Sequence, residues 1–215
     1  MSSTNRGGDR HVSDYYRTPQ WAIQDFLTAL HTDAPALFGE DLSSHDLIVL
    51  DPCAGGDAHN AMAYPQALRN FPAWNITRLV THDYRADSPA EFHGDYVAGL
   101  LERSLPRDLS PDLIITNPPF AIACEIIEQA LADVRANGLV IMLLRLNFFG
   151  GQHEKRAFFE RAGLPVAAYV HRKRINFTEG QRKPDGTKMS GDSIEYMHAI
   201  WQRGARPHFT QLRVI

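Results

Sequence analysis

A chain of 215 residues with 44% hydrophobic and 22% charged residues is long enough for one sizeable core and ordinary for a globular protein. No apolar run is long enough to span a bilayer, and the polar start MSSTNRGGDRH is not a signal peptide. Its two cysteines, Cys53 and Cys124, give neither a metal spacing nor a disulfide framework, so a reducing cytoplasm is the expected location.

The net charge of -3 is unevenly distributed. Residues 1–144 carry 9 Lys+Arg against 19 Asp+Glu, a balance of -10, and residues 145–215 carry 13 against 6, a balance of +7. A basic final third can present one positive face to a polyanion, or its charges can scatter over the surface.

Residues 1–13 are small, polar and charged, and are expected to form a flexible arm before a single domain over 14–215. Tyr16-Arg17-Thr18-Pro19 then leads into WAIQDFLTAL (21–30), whose spacing predicts an amphipathic helix with Pro19 at its first turn. LIVL (47–50) reads as a strand stopping at Asp51-Pro52-Cys53-Ala54-Gly55-Gly56-Asp57, with a helix predicted over 58–68. Further strands are predicted at 78–83, 92–96, 113–116, 139–146, 166–170 and 194–201, with helices over 121–135 and 154–162. Strands alternating with helices imply a parallel α/β sheet with helices on both faces, whose ligands bind beyond the carboxyl ends of the strands. The last two strands break the alternation and can pair antiparallel. The loop between them, RKRINFTEGQRKPDGTKMSGD (172–192), is basic, poor in apolar residues and expected to be exposed.

Chemistry-bearing residues collect at these strand ends. The glycines after Asp51 let the backbone approach a ligand closely, but they match neither a dinucleotide fingerprint nor a phosphate loop. Asp51 would repel a pyrophosphate and pair with a cationic amino acid. Asp83, ending the second strand, can accept from ribose hydroxyls, and Asp95, ending the third, from an adenine amino group; singly, each is an ordinary surface carboxylate. The apolar run DLIITNPPF (112–120) drives a strand into Asn117-Pro118-Pro119-Phe120. Prolines end strands, so a turn is the plain reading. The alternative is that the fixed backbone aims an amide oxygen and a carbonyl at one amino group.

With these motifs in this order, the sequence resembles the S-adenosylmethionine-dependent DNA adenine-N6 amino-methyltransferases of the small phage and bacterial type. The resemblance rests on Tyr16-Arg-Thr-Pro19 placed first, Asp51-Pro-Cys-Ala-Gly-Gly and Asn117-Pro-Pro-Phe120, and covers residues 15–203. It implies a Rossmann-like class I methyltransferase fold, with a seven-stranded, mostly parallel sheet whose last strand is antiparallel. It implies S-adenosyl-L-methionine as cofactor, with Tyr16, Thr18, Pro19, Asp51, Pro52, Cys53, Ala54, Gly55, Asp83, Asp95 and Asn117 around it. Catalysis falls to Asn117, Pro118, Pro119 and Phe120, without a metal.

In that mechanism the Asn117 side-chain oxygen and the Pro118 carbonyl each accept a proton of the adenine amino group, and Phe120 stacks on a base taken out of its helix. Asn117 favours adenine N6 over cytosine N4, for which similar enzymes more often carry serine at that position. Arg172, Lys173, Arg174, Arg182, Lys183 and Lys188 are expected to contact phosphates; the plain alternative is a solvated connection. The expected partner is DNA, with RNA as the alternative, in a bacterial or phage-infected cell, and the chain a monomer or homodimer. Methylation of a protein glutamine amide and a binding module without catalysis are the other readings. Only residues 203–215 follow the seventh strand, so specificity is expected to be short or relaxed, or supplied by a second copy or partner.

Overall fold

The structure, a computed structural model, describes residues 16–39, 41–98, 104–150, 153–178, 187 and 193–215. The expected arm over 1–13, and Arg182, Lys183 and Lys188 of the basic loop, lie outside the described residues.

Eight strands form one sheet: β1 (Leu47–Asp51), β2 (Ile76–Asp83), β3 (Phe92–His93), β4 (Leu113–Thr116), β5 (Leu139–Arg145), β6 (Ala167–Val170), β7 (Tyr196–Gln202) and β8 (Gln211–Val214). Their order is β3-β2-β1-β4-β5-β7-β6-β8. Every pairing is parallel except those of β7, which runs antiparallel between β5 and β6. The strand order reverses between β1 and β4, and a crevice opens beyond their carboxyl ends at such a point.

Two helices cover each face. α1 (Gln20–Phe38) and α2 (Ala63–Arg69) pack on Val49, Leu113, Ile115, Ile141 and Leu143. α3 (Ala123–Asp133) and α4 (His153–Ala162) pack on Leu50, Ile114, Val140, Met142 and Leu144. Successive strand residues thus serve opposite cores, which is why these strands read as continuous apolar runs rather than as alternating ones. α1 buries Ile23, Phe26, Leu27 and Leu30, each contributing about 1.5–3 kcal/mol of apolar transfer.

Several boundaries differ from expectation for local reasons. α1 continues past Leu30, through Pro35, to Gly39, whose positive φ of 70° and N–H to the Pro35 carbonyl (3.1 Å) close the helix. α2 begins at Ala63 because the Asp57 carboxylate accepts the N–H groups of His59 and Asn60 (2.7 and 2.8 Å), holding a turn where a helix was predicted. The basic loop is exposed at Arg172, Lys173 and Arg174 but not throughout: Ile175 and Phe177 are buried in the α1-side core. The seventh strand is antiparallel as expected, and β8 is an addition. All four of its residues are exposed, so burial left no pattern in its sequence.

Candidate functional site

The carboxyl ends of β1, β2 and β4 gather the predicted residues. Asp51 closes β1 and is fully buried. Its Oδ1 accepts the Cys53 N–H at 3.3 Å. Burial pushes its carboxyl up to about 7, the nearby Asp83 charge adds to the rise, and the Thr116 hydroxyl and the Cys53 N–H offset only part of it. Thr116 is near enough to matter yet makes no hydrogen bond of regular geometry. Thr18 Oγ1, Asp51 Oδ2 and Thr116 Oγ1 are buried polar atoms without a hydrogen-bond partner among the described residues.

The turn after β1 is braced from β2. The Ala54 N–H donates to the His82 carbonyl (2.9 Å), and the Pro52 carbonyl lies 3.1 Å from His82 Nδ1. Gly55, with φ at 65°, donates its N–H to Asp83 Oδ2 at 2.7 Å, and Ser88 Oγ donates to the Gly55 carbonyl at 2.5 Å. Asp83 Oδ1 accepts the Arg85 N–H at 2.8 Å and lies 3.4 Å from the Arg85 guanidinium, which also reaches the Gly56 carbonyl. Asp83 is buried; its Oδ2 holds the glycine turn directly and its Oδ1 holds Arg85, which reaches the same turn. Asp95 is exposed beside it, in a turn where its carboxylate accepts the Val97 N–H at 3.1 Å. Burial and the charges of Asp51 and Asp83 push the Cys53 thiol up, which disfavours its thiolate.

The N-terminal motif meets the Asn117-Pro-Pro-Phe120 motif across 101 residues of sequence. Asn117 Nδ2 donates to the Tyr16 carbonyl at 3.0 Å. The donor side of the amide is used, and Oδ1 has no hydrogen-bond partner among the described residues. Pro19 caps α1, taking the Ala22 N–H at 3.1 Å, and Gln20 reaches the Ala63 carbonyl at 2.8 Å, which ties the start of α1 to α2. Pro118 is buried. The Phe120 ring lies 5.8 Å from Tyr196 and 4.8 Å from the Arg145 guanidinium carbon above it. Phe177 stands 5.0 Å from Tyr196 and 5.9 Å from Tyr16, so one aromatic chain runs from Phe120 back to the N-terminal motif.

The basic cluster is represented by three described residues at the carboxyl end of β6. The Arg172 N–H donates to the Ile215 carbonyl (2.7 Å), Lys173 Nζ lies 4.2 Å over Trp21, and Arg174 pairs with Glu195 at 3.2 Å. Their side chains are exposed.

Sequence reasoning missed Tyr84, Arg85, Ser88, Phe177 and Tyr196. Tyr84, 75% exposed immediately after Asp83, is an open aromatic face at the end of β2, and its position next to that carboxylate was a usable signal. It also missed a buried polar chain in which the Tyr64 hydroxyl lies 2.8 Å from His198 Nε2, and His198 Nδ1 lies 2.8 Å from His171 Nε2. Burial lowers His171 to about 4, and burial together with the neighbouring His171 holds His198 well below the usual imidazole value, so both rings are neutral. Among the described residues no group of three or more His, Cys, Asp or Glu could hold a metal, and no helix is long and apolar enough to cross a membrane.

No protein-family model and no curated protein matches the sequence. Solved structures are similar to it. A proposed class I S-adenosylmethionine-dependent methyltransferase of Listeria monocytogenes matches 93% of this chain and 65% of its own, at 14% identity and a TM-score of 0.57. A predicted O-methyltransferase of Agrobacterium tumefaciens matches 83% of this chain and 84% of its own, at 15% identity and a TM-score of 0.52. The M protein of the type I restriction enzyme EcoKI matches 88% of this chain and 44% of its own, at 14% identity and a TM-score of 0.50. The chain thus spans about two-thirds of the first of these proteins and under half of the last. At such identities the likeness establishes the fold: a Rossmann-like class I methyltransferase fold, extended by β8.

Proposed function

We propose that the chain transfers a methyl group from S-adenosylmethionine to the exocyclic N6 amino group of adenine in DNA. The observation that carries this reading is the anchored amide of Asn117. Its Nδ2 is held by the Tyr16 carbonyl, so Oδ1 is the end left to accept a proton from a substrate amino group. The likeness to a type I restriction enzyme's M protein supports DNA as the polymer.

The residues present fit the cofactor. A buried carboxylate with an unpartnered oxygen suits a cationic amino group, the unpartnered Thr18 hydroxyl lies in the N-terminal motif, and the glycine turn offers backbone at close range. Asp51, Thr18 and the turn from Pro52 to Gly55 would hold the amino-acid end, with Asp83 and Asp95 toward the ribose and adenine and Tyr84 as an added stacking face. S-adenosylmethionine, when bound, supplies a methyl group activated by its sulfonium.

Adenine's amino group is a poor nucleophile because its lone pair is conjugated with the ring. Asn117 Oδ1 and the Pro118 carbonyl, by accepting hydrogen bonds from its two N–H groups, would draw the nitrogen toward tetrahedral geometry and free that lone pair for in-line attack on the methyl group, whose bond to sulfur would break to leave a neutral thioether. Positioning and preorganised acceptors carry most of the barrier reduction, and no strong base is needed before transfer. Loss of one proton afterwards leaves the neutral methylated amine. Phe120, backed by Tyr196 and Arg145, is placed to stack on the extruded base.

The test is nucleoside mass spectrometry after incubation with labelled S-adenosylmethionine and duplex DNA, single-stranded DNA or RNA. Label in N6-methyladenine from DNA is expected. Label in RNA keeps the chemistry and replaces the polymer; label in no nucleoside overturns the reading.

A further inference from the structure

Among the described residues the sheet ends on β8, and three of the five large hydrophobic side chains most exposed there lie on or beside it. They are Phe209 (71% exposed), Leu212 (61%) and Val214 (59%). Such an apolar edge strand is a liability that proteins usually blunt with charge, proline or a bulge. Within Gln211–Val214 the one charge, Arg213, is drawn to Asp33 on α1. Ile215 packs on the α1-side core, so Leu212 and Val214 point to the other face, beyond the helices that cover it.

The backbone of β8 has the same asymmetry. Gln211 and Ile215 donate their N–H groups to the Val166 and Val170 carbonyls, at 3.1 and 2.9 Å. Donors alternate along a strand, so the N–H and C=O groups of Leu212 and Val214 point away from β6, toward the open edge.

We infer that β8 is the docking surface for a second copy of this chain, which adds its own β8 antiparallel about a twofold axis through Arg213. In that register each Leu212 lies opposite the second copy's Val214, and the residues whose backbone groups are open are the ones whose side chains need cover. One arrangement satisfies both requirements, with two hydrogen-bonded pairs and a Leu–Val contact on each. The two Arg213 side chains meet on the α1 face, each beside its own Asp33, so the axis carries no net charge. Two short strands with Phe209 at the rim bury less than the roughly 1,200–2,000 Å² of a stable interface, so the dimer is a weak one that dissociates on dilution. The inference does not rest on the catalytic reading.

Sedimentation equilibrium of the full chain across about 1–300 μM tests it. The unaltered protein is expected to shift from monomer to dimer, and Leu212→Glu and Val214→Glu, each at an exposed position, to remain monomeric with melting temperatures nearly unchanged. Mild oxidation of Arg213→Cys should give a disulfide-linked dimer, because the axial pair has Cα atoms about 4.5 Å apart, whereas Gln211→Cys should not. A protein that stays monomeric at the highest concentration, or that dimerises equally well as Leu212→Glu, overturns the assignment.

Discussion

Asp51 combines complete burial with a carboxyl raised from 3.8 to about 7. The folded state therefore holds this proton more tightly than the unfolded chain, and the stability that results is present below the unfolded value and is lost as pH rises to about 7. The span corresponds to about 4 kcal/mol at most. Asp51→Asn should melt several degrees higher than the unaltered protein at pH 8 and close to it at pH 4, while binding S-adenosylhomocysteine more weakly; parallel melting curves across that range would remove the buried ionisation from the account. The motif around Asp51 was legible because its residue types and their place after an apolar strand are local. The brace on Gly55 was not. Asp83 could be seen as a strand-end carboxylate, but Gly55, which claims one of its oxygens, is 28 residues away in the sequence. For Asn117 the acceptor is a backbone carbonyl, which no side-chain pattern encodes.

Among elements, the central strands were readable because burial on both faces leaves uninterrupted apolar runs. β8 was hidden because it is exposed on all four residues, and the start of α2 because the Asp57 turn competes with helix at the same composition. The basic loop was misjudged from its charges: two apolar residues, Ile175 and Phe177, sit two apart among them and suffice to pin its first part to the core. Phe177→Ala should cost about 3–5 kcal/mol in urea denaturation, the range for deleting a buried phenyl ring. Because Phe177 supports Tyr16, whose carbonyl holds Asn117, methyl transfer should slow more than cofactor affinity falls. A loss below 1 kcal/mol would mean that the segment is not anchored there.

Across the whole molecule, the strand directions place Arg172, Lys173 and Arg174 of the basic final third at the same end of the sheet as Asn117-Pro-Pro-Phe120. Arg174 pairs with Glu195 at an exposed site, a contact worth about 0–1 kcal/mol and readily exchanged for a phosphate. If this cluster touches the nucleic-acid backbone, Arg172→Ala should lower the slope of log affinity against log salt by about one, across sequences alike. An unchanged slope would leave the cluster as solvated surface.

The central claim is that the anchored Asn117 amide accepts from the adenine amino group. The single-turnover rate of methyl transfer to adenine at saturating S-adenosylmethionine, for the unaltered protein and Asn117→Ala, tests it most directly. A fall of about 100- to 1,000-fold is expected, the loss seen when one preorganised polar contact to the transition state is removed, with S-adenosylhomocysteine affinity little changed. Transfer to adenine N6 within a few-fold of the unaltered rate would contradict it.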